Sequence, residues 1–90
     1  MKRASIVVSG MVQGVFFRHN TNKIANRLGL VGYVRNLDDG SLEVVAEGDD
    51  EKINELISFC RVGPSGARID DIKIEFSKPT NEFKEFGIRY

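Results

Sequence analysis

The stretch ASIVVSGMVQGVFFR, Ala4 to Arg18, contains the transition on which the fold turns. Ala4–Val8 is rich in β-branched residues and reads as a strand. Apolar residues on both parities of that run predict a central strand covered on more than one side. Two glycines, Gly10 and Gly14, then interrupt the pattern. Beyond them Phe17, Thr21, Ile24, Ala25 and Leu28 recur at helical spacing, and Gly29 supplies a stop, so a first helix is predicted over about 17–28. A glycine-bearing loop therefore joins a strand to a helix N-terminus. Such a junction offers unpaired N–H groups and the positive end of a helix dipole, a ready place for an anion. Arg18 is a cation in the first helical turn, a mildly unfavourable place unless an anion is bound beside it. Arginine also meets phosphate through a fixed fork of donors. Spacing alone slightly favours a plain turn with a solvated arginine.

Working outward, Leu30–Arg35 is a second strand and Asp39-Gly40 a turn. The third strand alternates Leu42, Val44 and Ala46 with Glu43, Val45 and Glu47, giving one mostly polar face. Asp49-Asp50-Glu51 puts acid at the start of a second helix, whose inward stripe is Ile53, Leu56, Ile57 and Cys60 and which ends near Val62-Gly63-Pro64. A fourth strand covers Ile69–Phe76, and a short last strand covers Phe86–Tyr90. The order β-α-β-β-α-β plus a terminal strand predicts an α+β, ferredoxin-like split βαβ sandwich, with an antiparallel-rich sheet and two helices on one face. Ninety residues allow one domain, 1–90.

Thirteen basic and thirteen acidic residues cancel, which argues against non-specific nucleic-acid binding. A single cysteine, Cys60, excludes an intrachain disulfide and a cysteine-based zinc site. No apolar run reaches the length of a membrane helix, so the expected location is the cytoplasm. The glycine loop has neither the P-loop nor the dinucleotide-binding pattern. Asn36, at the end of the second strand, is a second candidate. Turn-stabilising asparagines are common there, but its amide can also hold a water without titrating. His19 is expected to be an exposed helix residue, and one of Phe16 and Phe17 to pack inward. The acid pairs Asp38-Asp39, Asp49-Asp50 and Asp70-Asp71 are expected to be solvated or capping.

VSGMVQGVFFR, GYVRN and EVVAEG together resemble the acylphosphatases. The pattern G-x-V-Q-G-V-x-F-R is met at Gly10, Val12, Gln13, Gly14, Val15, Phe17 and Arg18, and a second motif at Gly32, Tyr33, Val34, Arg35 and Asn36. Gly40, Gly48 and the closing FGIRY also match. Leu42 and Leu37 depart from commoner residues at their positions. The resemblance implies that the amides of Val12, Gln13, Gly14, Val15, Phe16, Phe17 and Arg18 bind phosphate. It further implies that Arg18 is the essential guanidinium and that Asn36 orients the attacking water. It suggests that the Tyr90 carboxylate fixes the direction of Arg18.

The implied activity is hydrolysis of an acyl phosphate to a carboxylate and phosphate, with no cofactor, no metal, no nucleic acid or membrane partner, and a monomeric chain. Two rival readings share the topology. One is a regulatory domain that binds acyl phosphates without turnover. The other is an RNA-binding module, disfavoured because outward positions such as Glu43, Glu47, Lys73 and Glu75 provide no aromatic platform.

Overall fold

The computed structural model describes residues 1–90. The elements are β1 (Lys2–Met11), α1 (Phe17–Arg27), β2 (Val31–Asn36), β3 (Leu42–Gly48), α2 (Asp50–Val62), β4 (Arg68–Ser77) and β5 (Phe86–Arg89). They form one five-stranded sheet in the order β4-β1-β3-β2-β5. All pairings are antiparallel except β2 with β5. This is the ferredoxin-like α+β arrangement expected from the sequence. No helix is long and apolar enough to cross a membrane.

The core lies between the helices and one face of the sheet. Ala4, Ile6 and Val8 of β1 and Leu42, Val44 and Ala46 of β3 meet Phe17 and Ala25 of α1 and Ile53, Leu56, Ile57 and Cys60 of α2. Burial pushes the Cys60 thiol up to about 12, so it serves as a small apolar core group. The helix starts differ in kind. Asp49 caps α2 by accepting from the N–H groups of Glu51 at 3.1 Å and Lys52 at 3.4 Å, whereas α1 has no side-chain cap. The remaining acid pairs are likewise engaged at the surface, Asp39 with Ser41 and Asp70 with Arg68.

β1 is central, as expected, but it is not covered equally on both sides. Its buried residues alternate strictly, and Ser5 and Val7 are only half-buried. The helices occupy one face, and the other is covered only in part. Gly10 belongs to this strand rather than to the loop. A bulge falls between Ser9 and Gly10, and a Cβ on Gly10 would come within 2.1 Å of the Arg68 carbonyl oxygen. The glycine lets β1 bend against β4 before the chain turns into α1.

The polar face of β3 also departs from expectation. Glu47 is 3% exposed and Val45 equally buried, because the segment after β4 folds back over them. Glu47 accepts from the Thr80 N–H and hydroxyl, each at 2.9 Å, and from the Asn81 N–H at 3.1 Å, and pairs with Arg3 at 2.9 Å. The open face carries aromatic rings as well. Tyr33, outward because Gly32 and Val34 face in, meets Phe83 edge-on at 5.9 Å between centroids, and the Arg89 guanidinium lies 3.9 Å from the Tyr33 ring centre. The expected lack of aromatics on this face therefore fails at Tyr33, which alternation along β2 turns outward.

Burial alone would raise the Glu47 carboxyl, but the donors from Thr80, Arg3 and Asn81 together hold it below the ordinary glutamate value. The stabilisation is therefore present above the unfolded value of about 4.3 and is lost as pH falls through the lower folded value. Glu47→Gln is expected to cost about 1–3 kcal/mol at pH 7, and the gap to the parent protein should narrow below a pH of about 4. Urea unfolding of both proteins at pH 7 and pH 3 checks this; an unchanged gap refutes it.

Candidate active site

The loop between β1 and α1 is held in a backbone conformation that most side chains avoid. Gly14 has φ +75°, and Phe16, with φ 62° and ψ 21°, is left-handed at the N-cap of α1. For a bulky residue that conformation costs about 1–2 kcal/mol, the kind of strain that gathers at functional sites. It separates two adjacent rings. Phe17 is 1% exposed and packs edge-on against Phe59 of α2 at 5.6 Å, while Phe16 is 77% exposed. One phenylalanine packs inward, as the sequence led us to expect, and it anchors the first turn of α1.

The N–H groups from Val12 to Arg18 find no acceptor within the protein. Outside helices and strands there are ten backbone hydrogen bonds, and none is donated from this loop or from the first three residues of α1. The loop, the start of α1, the end of β2 and the C-terminal strand together enclose a cavity of about 300 Å³. Val12, Gly14, Phe16, Phe17, Arg18 and Asn36 line it, so four residues of the first motif, with Phe16 between them, and the asparagine of the second motif meet in one place. His19 is exposed, as expected, and also reaches the cavity wall.

Arg18 has no carboxylate partner, since the ion pairs of the molecule lie elsewhere. Its guanidinium stands 5.0 Å from the centre of the Tyr90 ring. The contact expected from the Tyr90 carboxylate is thus made by the aromatic face instead, which holds the guanidinium by its charge without neutralising it. Asn36 sits at the end of β2 with its Oδ1 buried and without a partner in the protein.

Two loop positions have side chains that leave the cavity. Val15 packs against the core. The Gln13 side chain donates from Nε2 to the carbonyls of Leu37 at 2.9 Å and Ser41 at 3.1 Å. It ties the loop to the β2–β3 turn, which is itself closed by a hydrogen bond from the Leu37 N–H to the Ser41 carbonyl at 2.8 Å. The expectation from the sequence covers only the backbone N–H of Gln13 and leaves this side-chain tie out. A long carboxamide between Val12 and Gly14, in a loop with no strand to pair with, was the available signal.

An α+β sandwich whose strand-to-helix loop presents unpaired donors, beside an unpaired guanidinium, is a protein of the class that takes up small anions through backbone and arginine. The comparisons with known proteins narrow the class. The acylphosphatase family model matches residues 4–88. The acylphosphatase of Methylococcus capsulatus is 46% identical over 88 residues, covering 98% of this chain and 96% of the relative. Among solved structures, that of acylphosphatase from Bacillus subtilis is 32% identical with a TM-score of 0.95, each chain covered completely. An acylphosphatase from Coxiella burnetii is 35% identical with a TM-score of 0.90, covering 98% of this chain and 92% of that one. The chain belongs to the acylphosphatase family.

If Gln13 fixes the loop relative to the turn, Gln13→Ala should weaken phosphate binding by roughly fivefold, the equivalent of about 1 kcal/mol. The inhibition constant of phosphate measures this, and a value unchanged from the parent protein rules the tie out as a determinant of the site.

Proposed function

We propose that this acylphosphatase hydrolyses the carboxyl–phosphate bond of acyl phosphates by direct attack of water on phosphorus, without a metal. The observation that carries this reading is the convergence on one cavity of a donor-rich loop, Arg18 with no counter-ion, and Asn36. The amides of Val12, Gln13, Gly14, Val15, Phe16, Phe17 and Arg18 hold the phosphoryl oxygens, and the Arg18 guanidinium clamps the group and takes up its charge in the transition state. Asn36 holds the water. With Oδ1 buried, the amide nitrogen is the end left for the cavity. A donor to one lone pair of the water leaves the other free to attack.

The step balances without a side-chain acid or base. A bond forms from the water oxygen to phosphorus while the bond from phosphorus to the acyl oxygen breaks. The leaving carboxylate has a conjugate-acid value of about 4–4.5 and departs unprotonated. The water's protons pass to phosphoryl oxygens and solvent. Positioning and charge stabilisation are then the whole of the catalytic task. On this reading the chain works as one domain and as a monomer in the cytoplasm, on a small anion rather than on nucleic acid.

Benzoyl phosphate, followed by the loss of its ultraviolet absorbance, is the test. Turnover is expected to survive EDTA. Arg18→Gln should lower kcat/KM by about 10³–10⁵, and Asn36→Ala by about 10²-fold or more, with the circular dichroism of both variants unchanged. Full activity in Arg18→Gln would end the proposal, and phosphate binding without turnover in the parent would make the domain regulatory.

A further inference from the structure

Two buried side-chain polar atoms in the molecule have no partner in the protein, Asn36 Oδ1 and Thr21 Oγ1. The topology brings them to the same interface. β1 and β2 both pair antiparallel with β3 and so run parallel to one another. α1 connects them and packs against β2, and as the crossover between two parallel strands it runs in the opposite direction. Its first turns therefore pass alongside the end of β2. Along β2 the residues facing the helices are Gly32, Val34 and, by the period of two, Asn36. Along α1 the buried stripe is Phe17, Thr21 and Ala25. Thr21 lies one turn, about 6 Å, deeper along the helix than Phe17, which lines the cavity.

Thr21 is 0% exposed. A threonine in a helix can bond the carbonyl three or four residues back, yet here the hydroxyl makes no such bond. An orphaned buried hydroxyl is destabilising, and valine would fill the same volume without it. A polar site between two orphaned groups suits an internal water that bonds to both. We infer that Thr21 is a positioning residue, whose hydroxyl holds a buried water against Asn36 Oδ1 and so fixes the amide with its nitrogen toward the cavity. The chain of contacts runs from Thr21 through the inner water to Asn36 and then to the attacking water. An amide held only from the cavity side is free to turn over, exchanging donor for acceptor at the place where the nucleophile must sit. The inference rests on the role proposed above for Asn36.

Kinetics of Thr21→Val, Thr21→Ser and Asn36→Ala with benzoyl phosphate, alone and in combination, test it. Thr21→Val should lower kcat by about tenfold, within the range of coupling in one hydrogen-bond network, with KM and the phosphate inhibition constant within about twofold. Thr21→Ser should restore kcat, and Thr21→Val should have no further effect in the Asn36→Ala background. A rise in melting temperature with unchanged kcat overturns the inference, as does a kcat loss that is fully additive with Asn36→Ala. The unaltered protein supplies a measurement independent of any variant. Nuclear Overhauser contacts from one long-lived water to both Thr21 and the Asn36 amide are expected, and their absence overturns the inference. Asn36→Ala with full turnover would instead sink the proposed function itself, so the two failures are distinguishable.

Discussion

Backbone donors without internal acceptors set the terms for this molecule. Its two helices make the point by contrast. α2 begins in the ordinary stable way, with Asp49 accepting two of its free N–H groups and Asp50 and Glu51 in its first turn. α1 begins with Phe16 in a left-handed conformation, no capping side chain and no acid in its first turn. Arg18 adds positive charge where the helix dipole is already positive. A capping side chain contributes typically about 1 kcal/mol, so leaving α1 open has a measurable cost. That cost falls at the one helix start that lines the cavity.

An open helix start needs support from elsewhere, and the structure provides it from three directions. Gly10 allows β1 to bulge against β4, so the strand leaves the sheet at a defined point. Phe17 reaches into the core and locks the first turn of α1 to Phe59 of α2. Gln13 crosses to the β2–β3 turn, so the loop and the strand end bearing Asn36 move together. None of these contacts uses a backbone N–H of the loop. The loop is fixed by side chains and by its neighbours, which leaves its amides free for a ligand.

The sequence carried the architecture well because period and punctuation are local. Alternation in β1 and β3, the apolar stripes of both helices and the glycines after them were readable without knowledge of pairing. What escaped was the work of segments that lack a period. The chain after Pro79 has no repeating pattern, so its return across the sheet, which buries Glu47 and Val45, left no trace in the strand it covers. Tyr33 escaped because the polar outward residues of β3 and β4 carry no information about β2, whose alternation turns an aromatic to the same side. At the site, residue types and spacing made Arg18, Asn36 and the glycine loop candidates, and only the resemblance gave them roles. The direction of a side chain was not legible: Gln13 leaves the cavity, Asn36 turns its oxygen inward, and Tyr90 offers its ring. Those choices depend on which groups remain unsatisfied after packing, a property of the assembled molecule.

The partner of Arg18 shows why such a choice matters. A carboxylate beside the guanidinium would hold its direction through a charged hydrogen bond, but it would also occupy the donors that the proposed role assigns to a phosphoryl group. Each binding event would then have to displace an ion pair. An aromatic ring attracts the same cation through its face, worth about 0.5–1 kcal/mol at an exposed position, and leaves the planar fork of N–H groups open. Tyr90 is 99% exposed and so can shift as a ligand enters. The arrangement orients Arg18 weakly and keeps its full charge facing a cavity whose lining side chains include no acid. An anion entering there meets unspent donors from the backbone and an unspent charge from the side chain, and it is the first group in the structure able to satisfy both.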